Sequence, residues 1–274
     1  MSNATSDLPK APPVKLETPK PLAAPRPGNY THWPWGPFAG FFVTAFAFLV
    51  SQLLAGALFS LLFAALGWST DRGNQWFDAV QGQFLAVLIS EGLALLFLWL
   101  FLRHRKANWR LLGFSRSPLL SDVVKAAIGF VIYFTLLMII GGIVSAAFHL
   151  DENQKQELGF DNVTDLTQKL LTFVSLVLLP PIVEEILFRG FLFTGLRKKL
   201  KLLPAILLTS ILFASPHVTE SSSGPLWIAG VDTFLLSIVL CYLREKTGNL
   251  WASMMVHMLK NGLAFAYLYI FASK

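Results

Sequence analysis

The stretch PPIVEEILFRG, residues 180–190, sits between TFVSLVLL (172–179) and FLFTGL (191–196). Its flanks are as apolar as a bilayer interior, yet it carries Glu184, Glu185 and Arg189 within six positions. A charge at the centre of a spanning helix costs about 2.5–3.5 kcal/mol on insertion scales, so ionisable groups there are functional candidates. Whether this segment crosses a membrane decides the fold class, and the rest of the chain answers that first.

Of 274 residues, 54% are hydrophobic and only 14% are charged, where soluble domains run near a quarter. The mean hydropathy is +0.58. Phe contributes 24 residues and Trp 8, a usage that suits lipid-facing and interfacial positions. No stretch alternates as a barrel strand would. The reading is an all-α, polytopic membrane protein, multi-pass in the cell membrane. Its spans lie roughly at 38–67, 80–102, 124–148, 168–194, 203–216, 225–243 and 249–271, about seven helices of the length a bilayer needs.

The basic residues report topology rather than nucleic-acid binding. Lys10, Lys15, Lys20 and Arg26 precede the first span; Arg103, Arg105, Lys106, Arg110 and Arg116 follow the second; Arg197, Lys198, Lys199 and Lys201 follow the fourth; Arg244 and Lys246 end the sixth. Intervening loops are poor in Lys and Arg, and DENQKQELGFDNVTD (151–165) is acidic. The positive-inside rule then puts the N-terminus in the cytosol and lets the basic loops meet anionic lipid. Residues 1–35 read as a disordered Pro-rich cytosolic arm with no apolar signal core. Trp33 and Trp35 are expected at the membrane interface. Residues 36–162 read as the N-terminal transmembrane helices and 163–272 as a core that carries most of the intramembrane ionisable groups. The single cysteine, Cys241, excludes an intrachain disulfide and reads as a small buried residue.

At about 1.5 Å per residue, Glu184, His217 and Asn261 fall roughly 20 Å from the cytosolic ends, His257 roughly 13 Å, and Glu91, Asp232 and Lys260 roughly 18 Å. Such a layer suggests one shared polar cavity. Glu185 and Arg189 are i,i+4 in the favourable order for an ion pair. Glu184 points about 100° away and has only Phe188 at i+4, so it is expected to lack a partner and to suit a general base. FASPHV contains Phe213 and His217 at i,i+4, with Pro216 expected to bend or end the helix. VHMLKNG contains His257 and Asn261 at i,i+4, two donors that can hold an oxyanion or join helices. Lys260 is expected to pair with Asp232 or Glu91.

In order, EExxxR (Glu184, Glu185, Arg189), FxxxH (Phe213, His217) and HxxxN (His257, Asn261) resemble the CAAX-processing and bacteriocin-processing intramembrane proteases, over about 165–271. The resemblance implies an endopeptidase cutting a membrane-embedded or lipid-modified, for example prenylated, substrate near the cytosolic face. It implies that Glu184 and His217 activate a water, that His257 and Asn261 stabilise the oxyanion, and that Glu185, Arg189 and Phe213 support them. Carboxylate plus imidazole is a complete acid–base pair, so no cofactor is required. Zinc is the competing choice, with Glu184, His217 and His257 as ligands and water in the fourth position. The competing functions are a non-catalytic scaffold or bacteriocin-immunity protein of the same fold, and an ion-coupled transporter.

Overall fold

The computed structural model describes residues 30–31, 33–150, 159–160, 163–219 and 224–271. All regular elements among them are helical. The main helices are α1 (Pro37–Ala65), α2 (Thr70–Asp78), α3 (Val80–His104), α4 (Leu120–Phe148), α5 (Leu166–Arg197), α6 (Leu202–Ala214), α7 (Trp227–Thr247) and α8 (Trp251–Ala266). Five are long and apolar enough to cross a membrane: α1, α3, α4, α5 and α7. The chain is therefore an integral multi-pass membrane protein. Together with the turn that follows it, α6 forms a shorter apolar stretch, Leu202–Val218. The last helix, α8, runs on into a π turn, Tyr267–Phe271.

Local chemistry sets the helix ends. Ser69 caps α2 by accepting from the Arg72 N–H at 3.3 Å, and this short helix lies between the first two expected spans. Asp165 and Gln168 make a capping box at the start of α5. The Asp122 carboxylate accepts from the Leu119 N–H at 2.9 Å and from Arg116 at 2.7 Å, which fixes the start of α4. Gly248, at φ 69°, stops α7 in a left-handed cap that a side chain would strain.

On α1 the usual soluble pattern is inverted. Its buried face is Gly40, Thr44, Ala47, Ser51, Ala55 and Phe59, mostly small residues. Phe38, Leu49, Leu53 and Leu61 are exposed on the other face. Lipid is as apolar as leucine, so large side chains gain nothing by turning inward, whereas small ones let backbones approach. A Cβ on Gly195 would meet the Gly36 carbonyl at 3.0 Å, and one on Gly40 the Leu192 carbonyl at 3.3 Å. That closeness seats α1 on the C-terminal half of α5. Behind this pair, α4, α7 and α8 enclose a second core around Tyr133, Leu236, Leu240 and Val256.

The basic loops gather at one end. Arg105 donates to the Pro34 carbonyl at 2.8 Å, and Lys198 donates to the Trp33 carbonyl at 2.6 Å. Arg197 forks onto Glu245 at 2.8 and 3.1 Å. Trp251 Nε1 donates to the Arg116 carbonyl at 2.8 Å. The C-terminal ends of α3, α5 and α7 thus share one pole. Burial pushes the Tyr30 hydroxyl there up to about 12, against the opposing pull of Arg244.

Two expectations change at this pole. Trp33 and Trp35 are buried rather than facing the interface: Trp35 is 0% exposed, stacks on Phe191 at 4.8 Å, and donates Nε1–H to the Phe191 carbonyl at 3.0 Å. An arm ending at residue 35 therefore cuts through packed structure, since Tyr30 is buried too. The remainder of that arm, and the acidic loop at 151–158, lie outside the described residues.

Replacing Trp35 by Ala should lower stability by about 3–5 kcal/mol, read as thermal unfolding in detergent. Trp35→Phe keeps the stacking and loses one hydrogen bond, so about 1 kcal/mol is expected. Thr194 Oγ1 still donates to the Phe191 carbonyl.

Candidate active site

Helix α5 builds the site because its sequence does not allow a regular helix. Pro180 and Pro181 have no N–H to give, and the helix answers with a π turn over Val174–Leu178 before resuming at Leu179. A second π turn covers Glu185–Leu192, and every residue in it is buried. The charged residues thus sit on a locally widened helix.

Arg189 Nη1 lies 2.9 Å from Glu185 Oε1, with both side chains at 0% exposure, as the i,i+4 spacing led one to expect. The guanidinium carbon also lies 4.0 Å from the centre of the Phe213 ring, a cation–π contact from α6. Glu184 departs from expectation. The turn N-terminal to Phe188 offers it nothing, but α8 does: His257 Nε2 is 3.6 Å from Glu184 Oε2, and His257 Nδ1 is 3.3 Å from Glu185 Oε1. One imidazole therefore stands between the two adjacent carboxylates. The expectation of a partnerless Glu184 considered its own helix alone, and the partner comes from another.

His217 sits in the 3-10 turn Pro216–Val218 that ends α6, since Pro216 cannot continue the α-helical ladder. Its Nδ1 faces the Phe213 carbonyl at 3.1 Å. A carbonyl only accepts, so this nitrogen carries the proton and Nε2 is left as the acceptor of the neutral ring. Phe213 touches both histidines, with ring centres 5.5 Å from His217 and 5.7 Å from His257. Asn261 Nδ2 donates to the Leu176 carbonyl at 2.9 Å.

The single polar layer resolves into two sets of contacts. Around Glu184 are Glu185, Arg189, Phe213 and His257, with Glu91 of α3 within electrostatic reach. The other set joins three helices: Lys260 Nζ lies 3.3 Å from Asp232 Oδ2, and the Tyr133 hydroxyl donates to the other Asp232 oxygen. Of the two carboxylates offered to Lys260, Asp232 is its partner. Tyr133 was not singled out in the sequence, where a tyrosine within an apolar span was the one available signal. Among the described residues no three His, Cys, Asp or Glu side chains are disposed to hold a metal ion.

Residues 166–263 match the family described as type II CAAX prenyl endopeptidase, Rce1-like. Glu184, Glu185, Arg189, Phe213, His217, His257 and Asn261 all lie inside that match. An uncharacterized protein of Mycoplasma capricolum subsp. capricolum is 23% identical over 234 residues, covering 82% of this chain and 68% of its own length. No solved structure matches.

Removing one partner of a buried ion pair strands the other. Arg189→Met should therefore lower stability by about 3–5 kcal/mol. Adding Glu185→Gln should recover a large part of that loss, which a denaturation series on the two single variants and the double variant reads directly.

Proposed function

We propose that the Rce1-like type II CAAX prenyl endopeptidase domain carried by residues 166–263 makes this chain an intramembrane protease. It hydrolyses a peptide bond of a membrane-anchored or lipid-modified protein near the cytosolic face. The observation that carries this reading is His257 held between Glu184 and Glu185 at 3.6 and 3.3 Å. Neutralising the buried Arg189 needs only Glu185. The second carboxylate and the imidazole add an acid–base pair within a membrane span, where unneeded charge is costly.

In the mechanism we infer, Glu184, at 13% side-chain exposure, is the carboxylate that meets water. It takes one proton from a water molecule as the oxygen attacks the scissile carbonyl carbon. His217, with Nδ1–H held by the Phe213 carbonyl, presents Nε2 to the same water or to the leaving nitrogen. The tetrahedral oxyanion is met by His257 and by the Asn261 N–H that Leu176 does not hold. The C–N bond then breaks, and the proton taken from water passes to the leaving amine from Glu184 or His217. Glu185, Arg189 and Phe213 hold these groups in place. The steps need no cofactor, and none is routed through zinc.

The basic pole made by the ends of α3, α5 and α7 supports a cytosolic assignment for that end and contact with anionic lipid. We read α6 and α8 as crossing too, which gives seven spans with a cytosolic N-terminus.

Glu184→Gln should cut kcat/KM on a lipid-anchored peptide in proteoliposomes by about 10²–10⁴-fold while leaving thermal unfolding near that of the parent. Equal cleavage by both proteins would remove Glu184 from the mechanism. Cleavage should survive a chelator; loss that zinc alone reverses would demand a metal.

A further inference from the structure

The tandem proline removes two consecutive N–H donors, and the Leu176 carbonyl is among the acceptors left with no partner inside their own helix. The Leu176 carbonyl would accept from residue 180 in an α-helix and from residue 181 in a π helix, and both are proline. The tighter alternative is closed too, because the Leu179 N–H already donates to the Val174 carbonyl. In a membrane a bare carbonyl must be satisfied by protein. Asn261 supplies the donor across the helix interface, Nδ2 to oxygen at 2.9 Å.

We propose that the Pro180–Pro181 pair, the Leu176 carbonyl and Asn261 form a register lock between α5 and α8. The proposal rests on the protease reading for its consequence, though not for its geometry. The two helices run antiparallel, so residues earlier in α5 meet residues later in α8. Glu184 and Glu185 meet His257, Leu176 meets Asn261, and Phe173 meets Phe265 with ring centres 5.3 Å apart. A Cβ on Gly262 would stand 3.6 Å from Val177 Cγ1, so the contact there is close as well. Aromatic and aliphatic contacts tolerate sliding along the helix axis. A hydrogen bond to one unpaired carbonyl does not. Because His257 and Asn261 are i,i+4 on α8, pinning Asn261 to Leu176 sets the height of the imidazole against the two carboxylates. Pro180 and Pro181 are then positioning residues: they do not touch substrate, but together they leave free the acceptor that Asn261 reads.

The test is a double-mutant cycle on the full chain in proteoliposomes, using Asn261→Ala, a variant carrying both Pro180→Ala and Pro181→Ala, and the combination, with cleavage of a lipid-anchored peptide as readout. With both prolines replaced, N–H groups return at 180 and 181, and Leu176 gains an in-helix donor in either the α or the π register. Asn261→Ala alone loses the lock and the oxyanion contact together, whereas in the proline-replaced background it loses the oxyanion contact only, so its effect on kcat should shrink by about tenfold. An equal loss in both backgrounds would show that Asn261 serves the substrate and not the lock. A second measurement needs neither cleavage nor a folded proline variant. Spin labels at Leu170 and Leu268, both exposed, report the α5–α8 distance in a Cys241→Ala background. The distance distribution should shift or broaden in Asn261→Ala, and an unchanged distribution would overturn the lock. Because this arm is read without substrate, it decides the lock even if no peptide is cut, in which case the protease reading alone would fail.

Discussion

Arg189 holds the interior together. Its guanidinium is fully buried, set against Glu185 on one side and the Phe213 ring on the other. A charge in that position must be paired, so the carboxylate of Glu185, the aromatic face from α6 and the imidazole from α8 have to meet there. Three helices are brought to one point by the need to neutralise one side chain. Glu184 comes with them because it is the neighbour of Glu185, and this places a less buried carboxylate beside His257. A structural requirement and a chemical opportunity therefore arise from the same adjacent pair of glutamates.

Elsewhere the bilayer changes which residues hold helices together. On α1, glycine, alanine, serine and threonine face the protein while phenylalanine and leucine face outward. Apolar burial cannot drive packing when the surroundings are equally apolar, so close approach and directed bonds take its place. The Asn261–Leu176 bond, the Trp35–Phe191 bond and the Tyr133–Asp232–Lys260 set are all of this kind. Each joins helices that van der Waals contact alone would leave free to slide.

Much of the organisation was legible in the residues. Long apolar runs mark the spans because a helix in lipid must satisfy its backbone internally and show apolar side chains. The Glu185–Arg189 pair follows from i,i+4 spacing, and the break after Ala214 follows from Pro216. What was not legible crosses between helices. A helical wheel sees one helix, so it left Glu184 without a partner that α8 provides. Estimated depth put Glu91, Asp232 and Lys260 in one layer but could not say which way each faces around its axis. Trp33 and Trp35 have the composition of an interface belt, but Trp35 is stacked on Phe191 and Trp33 packs edge-on against Tyr30 and Trp35, where α1 approaches α5 closely at Gly40 and Gly195.

The sequence by itself determined the solvent, the helical class, the five long apolar helices and the residue types able to do acid–base chemistry, because hydropathy, charge and i,i+4 spacing are properties of one strand of chain. Only the tertiary structure decided that His257 stands between Glu184 and Glu185, that Lys260 goes to Asp232, and that Asn261 takes the carbonyl left free at Leu176. These depend on the rotation and register of one helix against another, and in a bilayer those are set by a few directed polar contacts rather than by the apolar pattern.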